Sequence, residues 1–135
     1  NNCVIMLAQE EYLMHQIILY EDRNGVKPVD EYLKELDSQN TKDARIRREK
    51  IRAYVKILKE RGLPLPEPIC KHMVDKIYEL RPIGDRVFFA GWIDSAYVLL
   101  HCYKKQGQKT PPRELKKAQD EFANFLERWN QNGKA

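Results

Sequence analysis

From His15 onward the chain turns apolar, with Ile17, Ile18, Leu19 and Tyr20 in succession, and QIILYED reads as a short strand. Asn24-Gly25 supplies a turn able to take positive φ. The period then changes. After Pro28, a residue suited to the first helical position, Val29, Tyr32, Leu33 and Leu36 recur at spacings of three and four and predict an amphipathic helix. The polar run DSQNTKD breaks it. Thr41 to Arg61 predicts a longer helix whose apolar stripe is Ala44, Ile51, Tyr54, Val55 and Leu58, with Gly62 placed to cap its C-terminus. LPLPEP, carrying Pro64, Pro66 and Pro68, cannot continue a helix and reads as an extended connector.

Three strands are expected next: HMVDKIYELRP, DRVFFAGWI and AYVLLHCYKK. Pro82 to Gly84 turns between the first two and Asp94-Ser95 between the others, and such short turns make antiparallel neighbours. Beyond Pro111-Pro112, the positions Leu115, Ala118, Phe122, Phe125, Leu126 and Trp129 predict a last helix, with Lys116, Lys117, Asp120 and Glu121 on its charged face. The order strand, two helices, three strands, helix implies an α+β domain with helices packed on an antiparallel sheet.

A chain of 135 residues with 42% hydrophobic content suits one domain that needs no metal or disulfide to hold its core. The net charge of +4 is modest, but its distribution is not. Between Lys42 and Arg61 nine lysines and arginines stand against three acids. Cys3, Cys70 and Cys102 are odd in number and show no CxxC or Cys/His spacing, which argues against a disulfide framework or a structural zinc and fits a reducing cytoplasm. No apolar run approaches the length of a membrane helix, and CVIMLA lacks the flanks of a signal peptide. Because MHQIILYEDRNG reads like a native strand start, residues 1–13 are expected to be an upstream extension or an expression remnant, the alternative being a short helix packed on the domain. Residues 14–135 then form the single domain.

The segments IILYEDRNG, PVDEYLKEL, KIYELRPIGDRVFF and VLLHCYKKQGQKTPPRELKKA together resemble the RelE-like toxins, specifically the HigB branch related to phage Gp49 proteins, over residues 14 to about 128. The strand ending LLHxYKK, then KTP, then a helix with Glu114 and Ala118, is the most specific part. The resemblance implies a RelE-like fold with two N-terminal helices and a C-terminal helix on a twisted antiparallel sheet. It implies the toxin of a type II toxin–antitoxin pair: a ribonuclease that cuts messenger RNA, usually on the ribosome, and so arrests translation and growth. A HigA-like helix-turn-helix antitoxin would neutralise it and carry it indirectly to operator DNA. No cofactor, metal or membrane is implied.

Cleavage by the RNA's own 2′-hydroxyl needs a base for its proton, positive charge on the phosphorane and an acid for the leaving 5′-oxygen. Arg81 and Arg86 flank the PIGD turn and match the family's arginines, and Arg86 is the preferred clamp because a guanidinium offers forked donors and stays charged. Pairing with Asp85 or Glu79 is the structural alternative. Alternation puts His101, Tyr103 and Lys105 on one face and Cys102 and Lys104 on the other. His101 could act as base or acid, or bond a carbonyl in the core; Tyr103 could stack, donate a proton or simply pack. Lys76, Lys104 and Lys109 could add phosphate contacts, and the basic helix, through Arg45, Arg47, Arg48 and Arg52, suits ribosomal RNA or an acidic antitoxin. Better-known relatives carry lysines along the strand that here reads KIYELR, where this chain has Glu79, so their acid–base scheme does not transfer. A non-catalytic module on the same fold, binding RNA or protein, is the alternative function.

Overall fold

The computed structural model describes residues 14–132. Residues 1–13, with Cys3 and the expected extension, lie outside the described residues. A five-stranded sheet in the order β1-β5-β4-β3-β2 forms the middle layer, from β1 (Ile17–Leu19), β2 (Cys70–Val74), β3 (Ile77–Leu80), β4 (Asp85–Gly91) and β5 (Tyr97–Lys104). All neighbours are antiparallel except β1, which runs parallel to β5 along Tyr97 to Leu99. The expected α+β architecture is present.

Helices α1 (Pro28–Ser38) and α2 (Lys42–Arg61) cover one face. Thr41 accepts a hydrogen bond from the Ala44 N–H at 3.1 Å, the usual way a threonine satisfies an orphan donor and worth about 1 kcal/mol. Gly62, at φ 67°, closes the helix, and its missing Cβ leaves room for the His15 ring. Val29, Leu36, Ala44, Ile51 and Leu58 bury against Leu80, Val87, Phe89 and Leu99. Helix α3 (Pro112–Asn132) covers the opposite face, where Leu115, Ala118, Phe122 and Phe125 meet Ile77, Phe88, Val98 and Leu100.

Two features depart from the expected strands. HMVDKIYELRP is a hairpin, not one strand: Asp75 takes φ 50°, and Lys71 pairs with Glu79 across the turn. Aspartate tolerates the left-handed region, and Asp-Lys lacks the Asn-Gly or Asp-Gly signature that would have announced the turn. In β5, Phe88 pairs with His101 and Phe89 with Leu99, leaving Leu100 as the extra residue of a β-bulge. Leu100 and His101 therefore both face α3, whereas Cys102 returns to the α1–α2 side.

Candidate functional site

The site forms where β3 ends, β4 begins and β5 runs out. Tyr103 pairs with Arg86 and Phe88 with Glu79, so Glu79, Arg86 and Tyr103 share the α3 face of the sheet. Glu79 is fully buried, and a buried carboxylate persists only with its lone pairs satisfied. The Tyr103 hydroxyl donates to its Oε2 at 2.7 Å, the Thr110 hydroxyl reaches the same oxygen at 3.0 Å, and the Arg81 Nε donates to Oε1 at 3.3 Å. Arg86 Nε stands 3.8 Å from Oε1 while its Nη1 donates to the carbonyls of Pro82 and Asp85 at 2.9 and 2.7 Å. Two guanidiniums thus converge on one carboxylate across the β3–β4 turn, and the local charge stays positive.

The turn itself is held from the other side of the sheet. Asp85, also fully buried, takes a bidentate pair from Arg47, Nε to Oδ2 at 2.9 Å and Nη2 to Oδ1 at 2.8 Å, and accepts the Tyr32 hydroxyl. This pair keeps Arg47 firmly protonated, and burial followed by the bond to Asp85 raises the Tyr32 phenol above its ordinary range. Burial likewise raises Tyr103, with Glu79 adding to it, and pushes the Cys70 thiol up to about 12 and Cys102 higher still.

Below Tyr103 on the same face, His101 is 2% exposed, with Nδ1 at 2.6 Å from a Glu121 oxygen and Nε2 at 3.0 Å from a Glu114 oxygen. Each ring nitrogen is thus within hydrogen-bond distance of a carboxylate oxygen of α3. The ring fastens β5 to α3.

The expected site residues divide accordingly. Arg81, Arg86 and Tyr103 meet at Glu79, and His101 lies on the same face with its ring nitrogens occupied. Lys105 is exposed, its backbone N–H bonded to the Gly84 carbonyl at 2.9 Å beside the turn, and Lys109 is exposed one residue before Thr110. Lys104 is exposed on the other side of the sheet, as strand alternation predicts, in a groove shared with Tyr32, Glu35 and Arg47. Lys76 is exposed in the β2–β3 turn, its carbonyl accepting the Gly91 N–H at 2.9 Å, at the opposite end of β3 from Arg81. The row of helix arginines splits. Arg45 and Arg52 are exposed, but Arg47 is turned inward to Asp85 and Arg48 is paired with Asp37, because both fall on the helix face toward α1 and the sheet. Glu121, expected on the charged face of the last helix, is buried against His101. Sequence reasoning missed Glu79 as the centre of the site; its only signal was an acid placed two residues before an arginine in a strand.

Among the described residues no helix is long and apolar enough to cross a membrane. Fold and site together define a small α+β protein with a cationic centre organised on a buried carboxylate. Residues 31–123 match the family described as phage derived protein Gp49-like, and the chain belongs to that family. The family is associated with the toxins of toxin–antitoxin pairs and is consistent with the RelE/ParE-like group. No curated protein matches the chain.

Proposed function

We propose that the protein is a HigB-like toxin that cuts messenger RNA on the ribosome without a metal ion, and that a helix-turn-helix antitoxin restrains it. The observation that carries this reading is the convergence of Arg81 and Arg86 on buried Glu79, with Lys105 beside the same turn. In the proposed step the RNA 2′-oxygen gives up its proton to a water molecule and attacks the adjacent phosphorus. The bond to the 5′-oxygen breaks, leaving a 2′,3′-cyclic phosphate, and the departing oxygen takes a proton.

Arg86, Arg81 and Lys105 hold the phosphate and its growing negative charge, the largest contribution a metal-free site can make. Tyr103, paired with Arg86 across the strands and with its hydroxyl proton directed to Glu79, is the proposed proton donor to the leaving oxygen. His101 acts at one remove, through its hold on α3. Arg45 and Arg52 on the exposed face of α2, and Lys109 in the loop before α3, offer sequence-independent phosphate contacts to ribosomal or messenger RNA. The burial of His101 and Tyr103 favours a second reading, a non-catalytic module that binds RNA or protein through the same arginines.

Primer extension on a messenger RNA in a reconstituted translation mixture separates the two readings. New ends are expected with the wild type and not with an Arg86→Ala/Lys105→Ala variant whose circular dichroism and melting are unchanged. Folded, antitoxin-free wild type that leaves the message intact would remove the enzyme reading.

A further inference from the structure

A second groove lies beside the arginine centre, outside the Glu79 cluster. It has a volume of about 650 Å³ and lies between the β1–α1 connection and the first turns of α3, with Tyr20, Arg23, Arg113, Lys117 and Asn124 in its walls. Against the four cations Arg23, Arg113, Lys116 and Lys117 it sets three carboxylates. Asp22 accepts the backbone N–H groups of Asn24 and Val26, each at 2.9 Å, Glu121 holds His101, and Asp120 stands 3.5 Å from Lys116. Among the described residues Arg113 and Lys117 have no carboxylate partner, and Arg23 has only an exposed contact with Glu127 at 3.9 Å, a kind of pair that contributes little. The Asn124 oxygen accepts from Tyr20 and Arg128, which leaves its amide N–H groups as donors. The surplus in the groove is therefore of cations and donors.

The groove's cations follow the arginine centre closely along the chain. From Lys105 the chain passes Lys109 to Thr110, which is bonded to Glu79, and three residues later reaches Arg113, then Lys116 and Lys117. Glu121 in the groove wall touches His101, whose ring centroid lies 6.4 Å from that of Tyr103. A line of cations leading away from a phosphate clamp fits a chain of regularly spaced phosphates better than a compact anion.

We propose that this groove holds the phosphodiester backbone of single-stranded RNA beyond the point held by Arg81 and Arg86, with Arg113, Lys117 and Arg23 as its contacts. The inference rests on the RNA-cutting reading and extends it by giving the strand a path. It requires RNA affinity to depend on residues remote from the clamp.

The test is fluorescence anisotropy of a 2′-O-methylated single-stranded RNA, which cannot be cut, titrated with wild type, with Arg113→Ala/Lys117→Ala and with a control pair on α2, Lys56→Ala/Lys59→Ala. The groove variant is expected to bind roughly tenfold more weakly, and its plot of log affinity against log salt to flatten by about 0.7 for each phosphate no longer neutralised. The control pair is expected to change affinity less, and melting temperatures to stay together because all four side chains are exposed. Wild-type affinity and salt slope in the groove variant would overturn the proposal. So would a groove variant that keeps its RNA affinity and loses only the response to an antitoxin, which would assign the groove to a protein. Cleavage of unmodified message is followed in parallel: wild type that binds and cuts beside a groove variant that does the same sinks the groove alone. Wild type that neither binds nor cuts sinks the RNA reading with it.

Discussion

Glu79 shows how one side chain turns scattered charges into a site. Arg81 and Arg86 repel each other in isolation, and each would sample many rotamers at a strand end. A buried carboxylate between them offsets the repulsion and limits those rotamers, so that on the proposed reading less order has to be imposed when a phosphate arrives. Through Thr110 it also anchors the loop that carries Lys105 and Lys109. Glu79→Gln keeps an acceptor for Tyr103 and Thr110 but removes the charge that aligns the guanidiniums. Its kcat is expected to fall by about a hundredfold, the scale on which small misplacements act, with KM changed much less. Single-turnover cleavage across a pH series checks this. If the low-pH limb of the wild-type profile disappears in Glu79→Gln, the carboxylate is itself the base and its positioning role is wrong.

At the scale of elements, α2 presents two faces that look alike in a one-dimensional reading of charge. Arg45 and Arg47 are two residues apart, which on a helix turns them to different sides. Arg47 is 12% exposed and joins α2 to β4 and α1 through Asp85 and Tyr32, whereas Arg45 points to solvent. Removing one partner of a buried pair strands the other charge. Arg47→Ala is expected to lose about 3–5 kcal/mol in urea unfolding, and Arg45→Ala to stay within about 0.5 kcal/mol of wild type. Equal losses for both would mean that the pair at Asp85 does not hold the layers together. The same scale explains the hairpin and the bulge. Turn and bulge each add or subtract a residue from simple alternation, and β5 uses the shift to send both Leu100 and His101 to α3.

For the whole molecule, both faces of the sheet carry a tyrosine–carboxylate anchor at the same end. Tyr32 ties α1 to β4 on one face, and Tyr103 ties β5 to β3 on the other, both with phenols raised by burial first and then by their carboxylates. Unfolded tyrosines release their protons near pH ~10. The folded ones hold theirs to higher pH, so their contribution is fully present below pH ~10 and is lost as pH rises beyond it. Denaturant unfolding is therefore expected to show an alkaline stability loss that begins near pH ~8.5 with the buried Cys70 and Cys102 thiols and continues above pH ~10 with the tyrosines, and Tyr103→Phe is expected to flatten the part above pH ~10. An unchanged alkaline slope in that variant would show that Tyr103 titrates no differently in the fold.

Much of this is legible in the chain by itself. The three helices, the cap at Gly62, the turn at Pro82–Gly84 and the sharing of one face by His101 and Tyr103 follow from spacing and backbone preference, which act over a few residues. The arginines of the candidate site are legible too, because Arg81 and Arg86 bracket a turn that local residues dictate. Which charges are free and which are spent is decided only by tertiary structure. Arg47 meets Asp85 across 38 positions, Glu79 meets Tyr103 across 24, and His101 meets Glu121 across 20. A carboxylate is buried or solvated according to which strand and helix close over it, and that packing is a property of the folded layers, not of the neighbours in sequence.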